Sequence, residues 1–137
     1  ELLRDVRAWH DRLGRAARSC RLDAAPYPDP GIAPFEGEQD GTSYRIRRIR
    51  HALELREEGV AMANCVLVYN APCRAGLCSI WSLEEERAGG VVRPRATIRL
   101  QKGVVVEAKR RGNRPVEAVE RQVIAAWASQ QGLRAQF

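Results

Sequence analysis

The dipeptide Lys102-Gly103 sits between two runs, residues 95–101 and 104–110, in which apolar and polar side chains alternate. In the first run Ala96, Ile98 and Leu100 share one parity while Thr97 and Arg99 take the other, the period of two expected of strands with one buried face. A two-residue connection ending in Gly folds such strands back as an antiparallel hairpin. Gly89-Gly90 supplies a second turn, so residues 78–83 join the pair as a three-stranded meander.

Around this meander the pattern is helical. Leu2, Val6, Trp9 and Leu13 fall on one face of an amphipathic helix over residues 1–20, and Trp9, like Trp127, sits on an apolar stripe and is expected to pack in a core. Residues 21–43 form a Pro/Gly-rich loop whose Pro26, Pro28, Pro30 and Pro34 exclude regular helix or central strand. Its acidic residues Asp23, Asp29, Glu36, Glu38 and Asp40 are placed to fold back on a basic face and cover a site. Thr42 or Ser43 caps a following helix with Ile46, Ile49 and Leu53 as its apolar line, an Arg50 to Glu54 ion pair, and Gly59 as its end. The apolar run 65–69 fits a buried strand or a helical turn equally well. A last helix opens at Asn113 with Pro115 in its first turn, carries Val116, Val119, Val123 and Trp127 inward, and stops at Gly132. The expected fold is α+β: one domain in which a small antiparallel sheet of about three to four strands packs against helices, with residues 44–137 as its core.

The 137 residues suit a single hydrophobic core, and no apolar stretch is long enough to span a bilayer. Without a signal-peptide pattern the chain reads as cytoplasmic, and its start at Glu1 reads as a piece of something longer, with flanking domains as expected neighbours. Cys20, Cys65, Cys73 and Cys78 are then expected to be reduced rather than paired, and their spacing lacks the short CxxC knuckles of structural zinc sites. No metal and no cofactor is implied.

Charge carries more information. Lys and Arg total 23 against 17 Asp and Glu, for a net charge of +6, and all the cations except Lys102 and Lys109 are Arg. Arginine pairs bidentately with phosphate, and its enrichment together with clustering at Arg45, Arg47, Arg48 and Arg50 and again at Lys109, Arg110, Arg111 and Arg114 points to a polyanion. A solvated basic surface explains the same composition without a ligand.

The segment from Leu53 to Val66, which contains Glu58-Gly59, Met62 and Asn64-Cys65-Val66 and is followed by Tyr69, resembles the PcfJ-like family pattern of a leucine-rich stretch leading to a His-Cys-Val motif and a tyrosine. The order continues through Cys73, Gly76, Trp81, the Pro94-Arg95-Ala96-Thr97-Ile98 strand and the Arg111-Gly112-Asn113-Arg114-Pro115 turn before a Trp-containing helix. The resemblance covers roughly residues 44 to 133, and the departure is Asn64 where the family has His. It implies a setting, conjugative plasmids, phages and related mobile elements, rather than a reaction.

Three functional readings follow. In the first, Arg47, Arg50, Lys109, Arg110, Arg111 and Arg114 contact phosphates and Asn113 adds hydrogen bonds, making a nucleic-acid-binding module. In the second, Cys65 is the nucleophile of a small enzyme with Asn64 and Tyr69 orienting substrate, which requires His10 or His51 as a base because a free thiol is largely protonated. In the third the domain docks on a protein partner through Trp9, Trp81 or an edge strand. Trp81 is a further candidate for stacking a base if it lies on the exposed sheet face. The acidic pair Glu57-Glu58 and the run Glu84-Glu85-Glu86 read as solvated faces.

Overall fold

The computed structural model describes residues 23–137; the expected N-terminal helix with Trp9 and His10, and Cys20 after it, lie outside the described residues. In chain order the elements are β1 (Phe35–Gln39), β2 (Thr42–Arg48), α1 (Ala52–Met62), a 3-10 turn (Val66–Tyr69), α2 (Asn70–Arg74), β3 (Ser79–Arg87), β4 (Val91–Gln101), β5 (Val104–Arg110), a second 3-10 turn (Arg111–Asn113), β6 (Arg114–Pro115), α3 (Ala118–Gln131) and β7 (Arg134–Ala135). The α+β class holds, but the sheet has seven strands rather than three to four: β1 to β6 pair in sequence order, antiparallel, and β7 joins β5 in parallel.

The meander forms as the alternation requires. Lys102 and Gly103 both take positive φ, 52° and 74°, the two-residue turn whose twist matches a hairpin. Pro94 is tolerated inside β4 because the ladder is irregular there, with Leu83 opposite Ala96 but Glu84 opposite Pro94, so Arg95 is the extra residue of a bulge.

The region before α1 corrects the sequence reading. The loop expected through residue 43 ends at β1, and Asp40 (φ 50°) and Gly41 (φ 77°) make a second turn of the same kind into β2. Residues 42–48 are a strand, not the start of a helix, so Thr42 and Ser43 cap nothing; buried Tyr44 and Ile46 alternate with Arg45 and Arg47, and the three-residue step from Ile46 to Ile49 only imitated helical spacing. The helix starts at Ala52, where the His51 ring nitrogen Nδ1 accepts from the Glu54 amide at 3.3 Å. Leu55 is buried and Leu53 exposed. Gly59 lies inside α1 and does not end it. Its missing side chain lets the chain return closely, since a Cβ there would sit 3.4 Å from the Asn64 carbonyl oxygen. The run 65–69 settles as a 3-10 turn leading into α2.

The last helix begins after Glu117, not at Asn113. Glu117 and Glu120 form a reciprocal capping box, while Pro115 sits opposite Lys109 in the short β6 strand. Gly132, at φ 66°, ends α3 as expected.

The sheet is covered on both faces. On one, Ile46, Trp81, Leu83, Ile98 and Val105 pack with Val123, Ile124 and Trp127 of α3. The Trp81 and Trp127 rings meet at 4.8 Å between centroids, tilted by 55°. Both are fully buried, so Trp127 is a core residue as expected and Trp81 is not available to stack a base. Trp127 Nε1 donates to the Ala33 carbonyl at 2.9 Å, fastening the segment before β1. On the other face Ile80, Ile49, Leu55, Val66 and Cys73 make a smaller core beneath α1 and α2. Tyr27 joins it, its hydroxyl donating to Asn70 Oδ1 at 2.6 Å, so this part of the proline-rich segment is packed in place. Truncating the tilted pair at its centre, Trp127→Ala, is predicted to cost about 3–5 kcal/mol of unfolding free energy, read from the urea midpoint at unchanged slope.

Candidate functional site

The sheet face under α1 is polar where the end of the helix meets it. Thr97 on β4 points up between two groups: its hydroxyl donates to Glu58 Oε2 of α1 at 2.6 Å and accepts from Asn64 Nδ2 at 3.1 Å. Asn64 Oδ1 in turn accepts from the Val66 amide at 3.1 Å, which fixes the chain leaving the helix. Ala63 takes a left-handed conformation (φ 47°) to make that exit. Glu58 is only 4% exposed, and burial raises its pKa above the ordinary carboxylate value, a shift that the Thr97 hydrogen bond and nearby Arg47 reduce without reversing. From the second 3-10 turn, Arg111 Nε reaches the Ala61 carbonyl at 3.4 Å. The end of α1 and the 111–113 turn are thus held side by side.

A cleft opens on each side of that contact. The larger, about 550 Å³, is bounded by residues 61–63 of the chain at the end of α1, by Arg93, Pro94 and Arg95 of β4, and by Arg110, Arg111, Gly112 and Arg114. Two of its five arginines are neutralised. Arg95 Nη2 is 2.7 Å from Glu120 Oε2 and its Nη1 is 3.4 Å from Glu85; Arg110 Nε is 3.3 Å from Glu120 and also pairs with Glu117. Glu120 is fully buried, and although burial opposes its charge, hydrogen bonds from the Glu117 amide and Arg95 hold its pKa below the ordinary value. No carboxylate among the described residues pairs with Arg93, Arg111 or Arg114, all three exposed.

The smaller cleft, about 210 Å³, gathers Asn64, Cys65, Tyr69, Thr97, Arg99, Lys109 and Asn113 with apolar walls from Val66, Val68 and Ile80. Five residues singled out from sequence, Asn64, Cys65, Tyr69, Lys109 and Asn113, therefore line one cavity. The Arg99 guanidinium lies over the Tyr69 ring, 4.9 Å from its centroid, and is held by Gln101 at 3.0 Å and Glu107 at 3.7 Å. Asn113 adopts φ 60° in its turn.

Burial raises the Cys65 thiol pKa, which keeps the sulfur protonated. Of the two imidazoles expected to activate it, His10 lies outside the described residues, and His51 caps the opposite end of α1, an eleven-residue helix about 16 Å long, and bonds to Glu54. Cys73 and Cys78 are free thiols with sulfurs 3.8 Å apart. Among the described residues no group of three or more His, Cys, Asp or Glu is arranged to hold a metal, and no helix is long and apolar enough to cross a membrane.

Arg47 and Arg50 do not join either cleft. Arg47 pairs with Glu84 and, at 3.4 Å, with Glu54; Arg50 pairs with Glu54 at 3.2 Å, the ion pair expected from their spacing. Burial would raise the Glu54 carboxyl, but hydrogen bonds from the Arg50 amide and guanidinium outweigh it and leave the pKa lowered. Sequence reasoning overlooked Arg93, Arg99, Glu58 and Glu120 as site-forming residues. The reading of the acidic runs as solvated holds for Glu57 and Glu86, which are exposed, and is corrected for Glu58, Glu84 and Glu85, which are buried beneath arginines or against Thr97 because they lie on inward-facing positions of α1 and β3. The parity of β3 offered a signal, since Glu84 follows the apolar run without a turn residue between them.

Comparison with models of known protein families, with curated proteins and with solved structures found no match. The PcfJ-like resemblance therefore rests on the ordered sequence motifs alone.

Glu58 yields a pH test. Its folded pKa lies above the ordinary 4.5, so as pH rises past 4.5 the unfolded chain releases this proton first and stability falls until the folded group also ionises. Glu58→Gln, which retains an acceptor for Thr97, is predicted to exceed the parent protein in stability near neutrality and to lose that advantage below pH 4.5. Paired urea titrations across pH cancel the opposite contributions of Glu54 and Glu120, which are common to both proteins.

Proposed function

We propose that this domain binds nucleic acid, with the larger cleft as the seat of the phosphate backbone. The observation that supports this best is the sorting of charge around the cleft: buried carboxylates occupy Arg95 and Arg110, while Arg93, Arg111 and Arg114 present to one concave surface guanidinium groups that have no acidic partner among the described residues. Guanidinium donors in such a concentration match the bidentate geometry of phosphate, and the backbone of a polyanion supplies several phosphates at once. Lys109 and Asn113 extend the same surface across the turn. Arg47 and Arg50, engaged by Glu54 and Glu84, play no part in this reading. The setting we assign is a mobile-element or defence-associated protein, as the PcfJ-like resemblance implies, with flanking domains or protein partners in a cytoplasmic assembly. The cysteine-centred alternative draws less support, because burial raises the Cys65 thiol pKa and His51 caps the opposite end of α1.

The test is a fluorescence-polarisation titration with short single- and double-stranded DNA and RNA over a salt series. Binding at roughly micromolar Kd is expected at low salt, with log affinity falling against log salt at a slope of about −2 for three phosphates on a single strand. Arg111→Glu combined with Arg114→Glu is predicted to weaken binding more than tenfold and to flatten the slope. Flat titrations at low salt, or a double variant that binds like the parent, would overturn the reading.

A further inference from the structure

Tyr69, Arg99 and Asn113 surround a cavity whose character differs from that of the cationic cleft beside it. The rims of the two clefts meet at consecutive residues in three places: Ala63 lines the larger and Asn64 the smaller, Arg110 the larger and Lys109 the smaller, Arg114 the larger and Asn113 the smaller. Neighbouring Cα atoms are about 3.8 Å apart, so a chain seated in one cleft has the other within reach of its next unit. The larger cleft offers charge. The smaller is lined by the Arg99 guanidinium, which lies over the Tyr69 ring and is held by Gln101 and Glu107, and by the apolar side chains of Val66, Val68 and Ile80. Asn64 and Asn113, whose side-chain amides each carry a donor and an acceptor, are among the residues that line it. Asn64 is already held by Thr97 and the Val66 amide, so its position is set before any ligand arrives.

We infer that the smaller cleft receives one unpaired nucleobase of a strand whose phosphates lie in the larger cleft, so that the domain selects single-stranded over fully paired nucleic acid. A flat aromatic base needs a stacking surface and hydrogen-bonding partners for its edge, and aromatic rings and guanidinium planes are the surfaces on which proteins hold splayed-out bases. A base inside a duplex is stacked and paired on both sides and cannot enter. The inference rests on the nucleic-acid reading above and adds to it the state of the strand.

The experiment compares a single-stranded oligonucleotide with a duplex of the same length, for the parent protein and three variants. Tyr69→Ala removes the ring beneath Arg99 and is expected to weaken single-strand binding roughly tenfold, the usual effect of losing one stacking partner. Asn113→Gly removes an amide from an exposed turn while preserving the left-handed backbone that glycine accepts, so it tests the same site with little risk to folding. It is expected to weaken single-strand binding several-fold. Tyr69→Phe keeps the ring and should bind as the parent does. Duplex affinity and the salt slope should be unchanged in the two Tyr69 variants, since Tyr69 lines only the smaller cleft. If Tyr69→Ala and Asn113→Gly bind single strands normally while Arg111→Glu with Arg114→Glu does not, the base pocket is wrong and the phosphate cleft stands. Equal loss on single strand and duplex also overturns the pocket. A parent protein that binds neither nucleic acid overturns both readings together.

Discussion

The hydroxyl of Thr97 joins Glu58 of α1 and Asn64 beyond it to the middle of the sheet, and the arrangement of the candidate site depends on this junction. The apolar anchors of α1, Leu55 in the smaller core and buried Met62 in its last turn, hold the helix to the sheet, and the Thr97 hydroxyl adds the directional contact there. The 111–113 turn reaches the helix at Ala61, and both clefts take their walls from that meeting point. Burying Glu58 carries an electrostatic cost, which the raised pKa records. Buried polar groups of this kind fix a single register where an apolar contact would permit several.

Buried carboxylates also decide which arginines remain available. The composition shows an excess of cations, but Glu54, Glu84, Glu85 and Glu120 engage many of them on or within the fold. What is left is local. Arg93 comes from the exposed start of β4, and Arg111 and Arg114 from the connection between β5 and α3, so the free charge of distant segments converges only after folding. A net charge of +6 is therefore a weak guide to the binding surface, and the pairing pattern a stronger one.

The meander was legible in the sequence because alternation and the Lys102-Gly103 turn act over a few residues, and β5 emerged as residues 104–110 as expected. Gly132 and the inward face of α3 were legible for the same reason. The β1–β2 hairpin was missed although Asp40-Gly41 announces a turn of the same type; the prolines upstream dominated the reading, and the Ile46 and Ile49 spacing suggested a helix. Candidate residues fared unevenly. Asn64, Cys65, Tyr69, Lys109 and Asn113 do line one cavity, because β4 and β5 carry Thr97 and Lys109 to the same rung and the turn after β5 lies beside the end of α1. Arg47 and Arg50 lie outside both clefts, and Glu84 and Glu54 are brought to them by strand pairing and by the true helix start. Trp81, a candidate for stacking a base only if it faced outward, is turned by β3 onto Trp127.

The most direct measurement is a backbone amide NMR titration of the domain with a short single-stranded oligonucleotide. The account predicts that perturbed resonances concentrate at residues 61–65, at Arg93 and Arg99, and across the second 3-10 turn, on the two clefts and the contact between them. Perturbations concentrated instead on the β1–β2 hairpin and around Arg47 and Arg50, with the 111–113 turn silent, would contradict it.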